Sequence, residues 1–199
     1  MRKIYTFMLG FAILAILGFS KKDEEGMARV NKLQGIEIYM LSEPVRDYEV
    51  ISDVSNGINA TSAITGGMVN ESISDKASNF VRRAMKENSR IDAVVYSSGK
   101  RVVGIRFTDV ATPETKGIAR VKKINGIDTY VLSEPLQDYE VLTSKGGGIK
   151  WKSYITGGLI NNSIEEDIEK MVKKIQGNGT SVDGVIYSAG KSASGFRYR

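Results

Sequence analysis

The 199 residues have an ordinary globular composition, 41% hydrophobic and 26% charged, with a formal net charge of +5 and neither cysteine nor histidine. Disulfides, thiolate zinc sites, histidine metal ligands and Ser-His or Cys-His catalytic pairs are thereby excluded within the chain. Lys and Arg are interspersed with Asp and Glu, and losing a leader that holds Arg2 and Lys3 would lower the charge to about +3, so no nucleic-acid partner is expected.

Residues 1–19 read as an export signal or membrane anchor: a basic start, then an apolar run that ends at Phe19, followed by a polar tether over 20–27. The end of the run resembles a lipoprotein signal, but Phe19 stands where the lipidated cysteine would be, so no thioether to lipid can form. The folded part is expected in a bacterial periplasm or cell envelope, close to the membrane if the leader is retained.

Sliding the chain by 91 positions aligns residues 28–108 with 119–199 without a gap, at roughly 40% identity. Repeat domain 1 is placed at 28–107, a linker at 108–118 and repeat domain 2 at 119–199, and so short a linker predicts that the repeats pack together or share a sheet.

Ile36, Ile38 and Met40 alternate with Glu37, Tyr39 and Leu41, the period of a half-buried strand, and Ile127 to Leu132 keeps it. Ser42-Glu43-Pro44 and Ser133-Glu134-Pro135 follow as turns or edge positions, because proline has no amide donor. YEVI and YEVL resume as short strands. Ile73, Ala77, Phe80, Val81, Ala84 and Met85 fall on one helical face, as do Ile164, Ile168, Met171, Val172 and Ile175. Ser72 with Asp75 and Ser163 with Glu166 have capping-box spacing, and Gly177-Asn178-Gly179 supplies a stop. DAVVYSSGK and DGVIYSAGK predict a strand and a tight turn before a closing strand. The expected fold class is α+β: two tandem repeats, each a strand-strand-helix-strand-strand unit with one helix packed on a small, mainly antiparallel sheet.

In these features the chain resembles the YbjQ-like family of small bacterial domains often labelled as heavy-metal-binding. Tyr48-Glu49-Val50, the Gly66-Gly67 pair and Asp92-Ala93-Val94 carry the resemblance in the first copy. Tyr139 to Val141, Gly157-Gly158 and Asp183-Gly184-Val185 carry it in the second. It implies assembly into rings and no catalytic residues, and this chain has no Cys or His for a metal.

Four features could carry chemistry. The Ser-Glu-Pro corners, with Asp47 and Glu49 or Asp138 and Glu140, offer oxygens to a hard cation, although calcium loops concentrate more carboxylates around a glycine turn. ITGG offers backbone to an anion but lacks the lysine-serine ending of a phosphate loop. Lys100 and Lys191, after Tyr96 and Tyr187, could do acid-base chemistry only if burial lowered the lysine pKa. Arg82, Arg83 and Lys86 correspond to Lys173 and Lys174, joined by Lys170, and paired helices would present one basic strip to an anionic lipid, glycan or phosphate. Trp151 and Tyr154 replace Ala60 and Ala63, which suits a contact surface present in one repeat only. The expected function is a non-enzymatic binding or assembly module without cofactor or metal, acting on an envelope protein or on itself. The alternative is anionic-ligand binding through Arg82, Arg83, Lys173 and Lys174, with Trp151 and Tyr154 as further contacts.

Overall fold

The computed structural model describes residues 24–54, 72–97, 101–146, 164–177, 179, 181–188 and 192–199. In the first repeat the strands are β1 (Met27–Val30), β2 (Lys32–Leu33), β3 (Ile36–Met40), β4 (Ser42–Pro44) and β5 (Tyr48–Asp53), then helix α1 (Ile73–Glu87), β6 (Ala93–Tyr96) and β7 (Val102–Phe107). In the second they are β8 (Ile118–Ile124), β9 (Ile127–Val131), β10 (Ser133–Pro135) and β11 (Tyr139–Gly146), then α2 (Ile164–Gln176), β12 (Gly184–Tyr187) and β13 (Ser192–Tyr198).

The expected fold class is overturned. Among the described residues, strand makes up 47%, in one large mixed sheet of 13 strands with two helices, so the fold is sheet-dominated instead of two small α+β units. The reason lies in the Ser-Glu-Pro segments, which are strands and not corners. β4 of the first repeat pairs with β8 of the second, setting Ser42 opposite Val121 and Pro44 opposite Ala119. β10 of the second repeat pairs with β1 of the first, setting Ser133 opposite Val30 and Pro135 opposite Ala28. β1 and β8 pair with each other, Ala28 opposite Ala119, which places the pseudo-twofold axis at those two alanines. Each repeat thus lends a strand to the other, in the order β10-β1-β8-β4.

Both prolines fit as outermost strands require. Val45 N donates to Ile118 O, and Leu136 N to Met27 O, so in the alternating ladder the nitrogens of Pro44 and Pro135 face away from the neighbouring strand, where no donor is needed. The actual corner is one residue earlier. Leu41 and Leu132 have φ of 53° and 52°, a left-handed conformation that costs a leucine energy and is held by burial of both side chains.

Around that four-stranded layer each repeat builds its own ladder. β3 runs parallel to β6, β6 antiparallel to β7 and β7 antiparallel to β5. β9, β12, β13 and β11 repeat the pattern. The two ladders meet at one bridge, Met40 opposite Val131. β2 turns into β3 through Gln34-Gly35 (φ 54° and 84°), and β8 into β9 through Asn125-Gly126 (φ 52° and 79°), the pair of left-handed residues that two-residue hairpins use.

β3 and β9 are buried on both faces, not half-buried as the alternation suggested. Ile38, Met40, Val94 and Tyr96 share a core with Val81 and Ala84 of α1 and with Ile168 and Ile175 of α2. On the opposite face Tyr39, Val95, Val103 and Tyr130 pack against Ala28 and Val30 of β1 and Ala119 and Val121 of β8. Helices therefore cover one face of the central strands and the four-stranded layer covers the other. The apolar helix faces are buried as their spacing predicts, Met85 being partly exposed. The Ser72–Asp75 capping box is formed, whereas Ser163 lies outside the described residues.

Candidate functional site

Most of the large apolar side chains exposed on the described surface lie on two edge strands, β5 and β11. Tyr48 and Val50 lie on β5, and Val141 and Leu142 on β11; Val45 continues the pairing of β4 with β8, and Val110 lies in the linker. Val50 and Val141 occupy equivalent positions and are 49% and 50% exposed, so both repeats present the same feature to solvent.

Among the described residues, β5 pairs only with β7, and β11 only with β13. Thr108 N donates to Asp47 O and Arg199 N to Asp138 O, which makes Asp47 and Asp138 hydrogen-bonded positions of their ladders. By alternation, the amides of Tyr48, Val50, Tyr139 and Val141 point outward. An outward row of amides beside exposed valines is a template for another strand. Each edge carries a register shift at matched positions, between Val50 and Ser52 and between Val141 and Thr143, which limits the straight stretch. Polar contacts fix both flanks: Tyr48 Oη donates to Glu43 Oε2 at 3.1 Å, Arg106 pairs with Glu49, and Arg199 lies 3.7 Å from Glu140. Burial, and then the Glu43 carboxylate, push the Tyr48 phenol above its usual pKa.

A second constellation, missed by the sequence reading, lies beneath the four-stranded layer. Glu37 and Asp128, equivalent positions, are 4% and 3% exposed. Glu37 Oε2 accepts from Tyr39 Oη at 2.7 Å, and Lys32 Nζ stands 3.3 Å from Oε1. Asp128 is one methylene shorter and its partner is Tyr198, which replaces Phe107: Tyr198 Oη donates to Asp128 Oδ2 at 2.9 Å and lies 2.6 Å from Tyr130 Oη. Lys123 Nζ is 3.5 Å from Oδ1, an ion pair longer than a hydrogen bond. Gly26 N, just ahead of β1, donates to Tyr198 Oη at 3.3 Å. Burial and then the Glu37 hydrogen bond raise the Tyr39 phenol, and burial dominates for Tyr130; Tyr198 is pushed up to about 12, chiefly by burial. These phenols stay neutral near neutral pH, and the Gly26 amide links the Asp128 cluster to the segment that leads into β1.

The basic strip is locally engaged. Arg82 Nη2 donates to Asn79 Oδ1 at 2.7 Å, Lys173 Nζ is 2.7 Å from Glu169 Oε1, Lys170 Nζ is 3.2 Å from Asp167 Oδ1, and Arg83 is half-buried. Lys174 is exposed. The first turn of α2 carries Glu165, Glu166 and Asp167, whose charge opposes an anion there. Trp151, Tyr154, Lys100, Lys191 and the four ITGG glycines lie outside the described residues. The carboxylates of the Ser-Glu-Pro segments do not converge: Glu43 meets Tyr48 and Glu49 meets Arg106, and no group of three acidic side chains able to hold a metal occurs among the described residues.

No family model, no curated protein and no solved structure matches the chain. Among the described residues, no helix is long and apolar enough to cross a membrane.

Proposed function

We propose that the protein is a non-enzymatic association module of the bacterial envelope, exported by its N-terminal segment, which joins other strands through the edges of β5 and β11. The observation that carries this reading is the pair of matched edges, each paired on one side only among the described residues, with Val50 and Val141 half exposed at equivalent positions. Main-chain amides give such a contact its affinity and the flanking side chains give it selectivity. The partner strand belongs to another copy or to an envelope protein.

Native mass spectrometry of the protein recovered from its envelope fraction tests the proposal. The wild-type chain is expected in an assembly, and a Val50→Lys/Val141→Lys variant, charged at both edges, is expected as a bare monomer. An unaltered assembly in the variant, or a wild-type chain that is itself a bare monomer, overturns it.

A further inference from the structure

The strand exchange between repeats has a consequence separate from the edges. Nearly everything that joins the halves is non-covalent and reciprocal: β1 with β8 and β10, β4 with β8, Met40 with Val131, and the Gly26 amide with Tyr198. None of these contacts requires both partners to belong to one chain.

The covalent connection is a small surface turn. Its near end is tied to the first repeat, because Arg46 Nε donates to Asp109 Oδ1 at 3.0 Å and Arg46 Nη2 to Asp109 O at 2.8 Å. Its far end is tied to β1, because Val30 N donates to Gly117 O at 2.9 Å. Between them, Thr112, Thr115 and Lys116 bond one another, Thr112 N to Thr115 Oγ1 at 3.0 Å and Lys116 N to Thr112 O at 2.9 Å, while Val110 is 89% exposed. Opening this turn breaks its own bonds and none of the core. Stretched out, residues 110–116 reach roughly 23 Å.

We propose that the chain exchanges repeats with a second copy of itself: the 110–116 turn opens, and the first repeat of each chain closes on the second repeat of the other. The product is a closed twofold dimer with the same strand pairings as the monomer, which differ only in chain of origin, and its cost is confined to the hinge and to association. Because the monomer already satisfies the pairings, exchange proceeds through opened or unfolded chains and follows protein concentration during refolding.

The chain has no cysteine, so introduced thiols report on this directly. Arg29 and Glu134 are exposed and lie directly opposite each other between β1 and β10. Cα atoms of opposite residues in an antiparallel pair fall within disulfide range. Arg29→Cys and Glu134→Cys chains are denatured, mixed and refolded together under mild oxidation, both in a Val50→Lys/Val141→Lys background so that edge contacts cannot bring thiols together. The expected result is a disulfide-linked heterodimer whose ratio to monomer rises about in proportion to free chain concentration. Arg29→Cys mixed with Glu43→Cys, on strands that are not neighbours, is expected to stay at background. The proposal is overturned if no heterodimer forms at any concentration while Arg29→Cys/Glu134→Cys within one chain closes its own bond. It is overturned equally if that double variant fails to close, since the register itself is then wrong. Neither outcome depends on whether the β5 and β11 edges associate.

Discussion

Positions 37 and 128 show how one structural problem is solved twice. Glu37 reaches Tyr39 directly, whereas the shorter Asp128 reaches Tyr130 only through the hydroxyl that Tyr198 adds where the first repeat has Phe107. Tyr198→Phe removes the bridge and leaves buried acceptors without their donor, at an expected cost of about 1–3 kcal/mol in urea unfolding. Adding Asp128→Glu should restore much of that loss, because the longer carboxylate copies the contact of the first repeat. A double variant no more stable than Tyr198→Phe would show that the two sites are not equivalent. The same phenols set the alkaline limit. Their folded pKa values lie above the ordinary value near 10, so the unfolded chain loses protons first as pH rises. Stability is expected to be full below pH 10 and to fall as pH climbs from there towards 12, with phenolate absorbance appearing together with unfolding.

At the scale of elements, a compensating exchange sits where β6 meets β7 and β12 meets β13. Ala93 faces Ile105 in the first repeat, and Gly184 faces Phe196 in the second. A Cβ on Gly184 would lie 2.1 Å from Phe196 Cζ, so Gly184→Ala alone is expected to cost about 1–3 kcal/mol in thermal or urea unfolding. Gly184→Ala/Phe196→Ile, which copies the first repeat, should recover a large part. The helices were legible because their apolar residues recur at helical spacing, and Ser72 with Asp75 marked a true start. The central strands were legible in place but not in burial. Periodicity cannot reveal a second covering layer, and the polar residues on the second face, Glu37 and Asp128, pair inside it. The pairing of Ser42–Pro44 with the other repeat was not legible either, since a three-residue strand carries no periodic signal and its partner lies far along the chain. Ala-Arg-Val, present at 28–30 and 119–121, forms the strands that meet at the pseudo-twofold axis, a role that three residues without periodicity do not announce. Asn125-Gly126, a strong hairpin pair, makes the turn from β8 into β9.

For the whole molecule, the interleaved layer and the outer edges perform different tasks. β10-β1-β8-β4 joins the two halves, and its own outer strands are three residues long and carry Pro44 and Pro135. β5 and β11 lie at the far ends of the ladders, where among the described residues each pairs on one side only. Tandem duplication thus yields two matched strips of exposed apolar side chains, on β5 and β11, which the proposed association would use. The basic residues Arg82 and Lys173 have local partners, which leaves the edges as the better-supported surface. The most direct measurement is residue-resolved hydrogen exchange on the assembled and the dissociated protein, read at the amides of Tyr48, Val50, Tyr139 and Val141. The account predicts that these amides gain protection on assembly, while their inward-facing neighbours Glu49 and Glu140, already bonded, change little. Assembly that leaves all four exchanging as fast as in the monomer would contradict it.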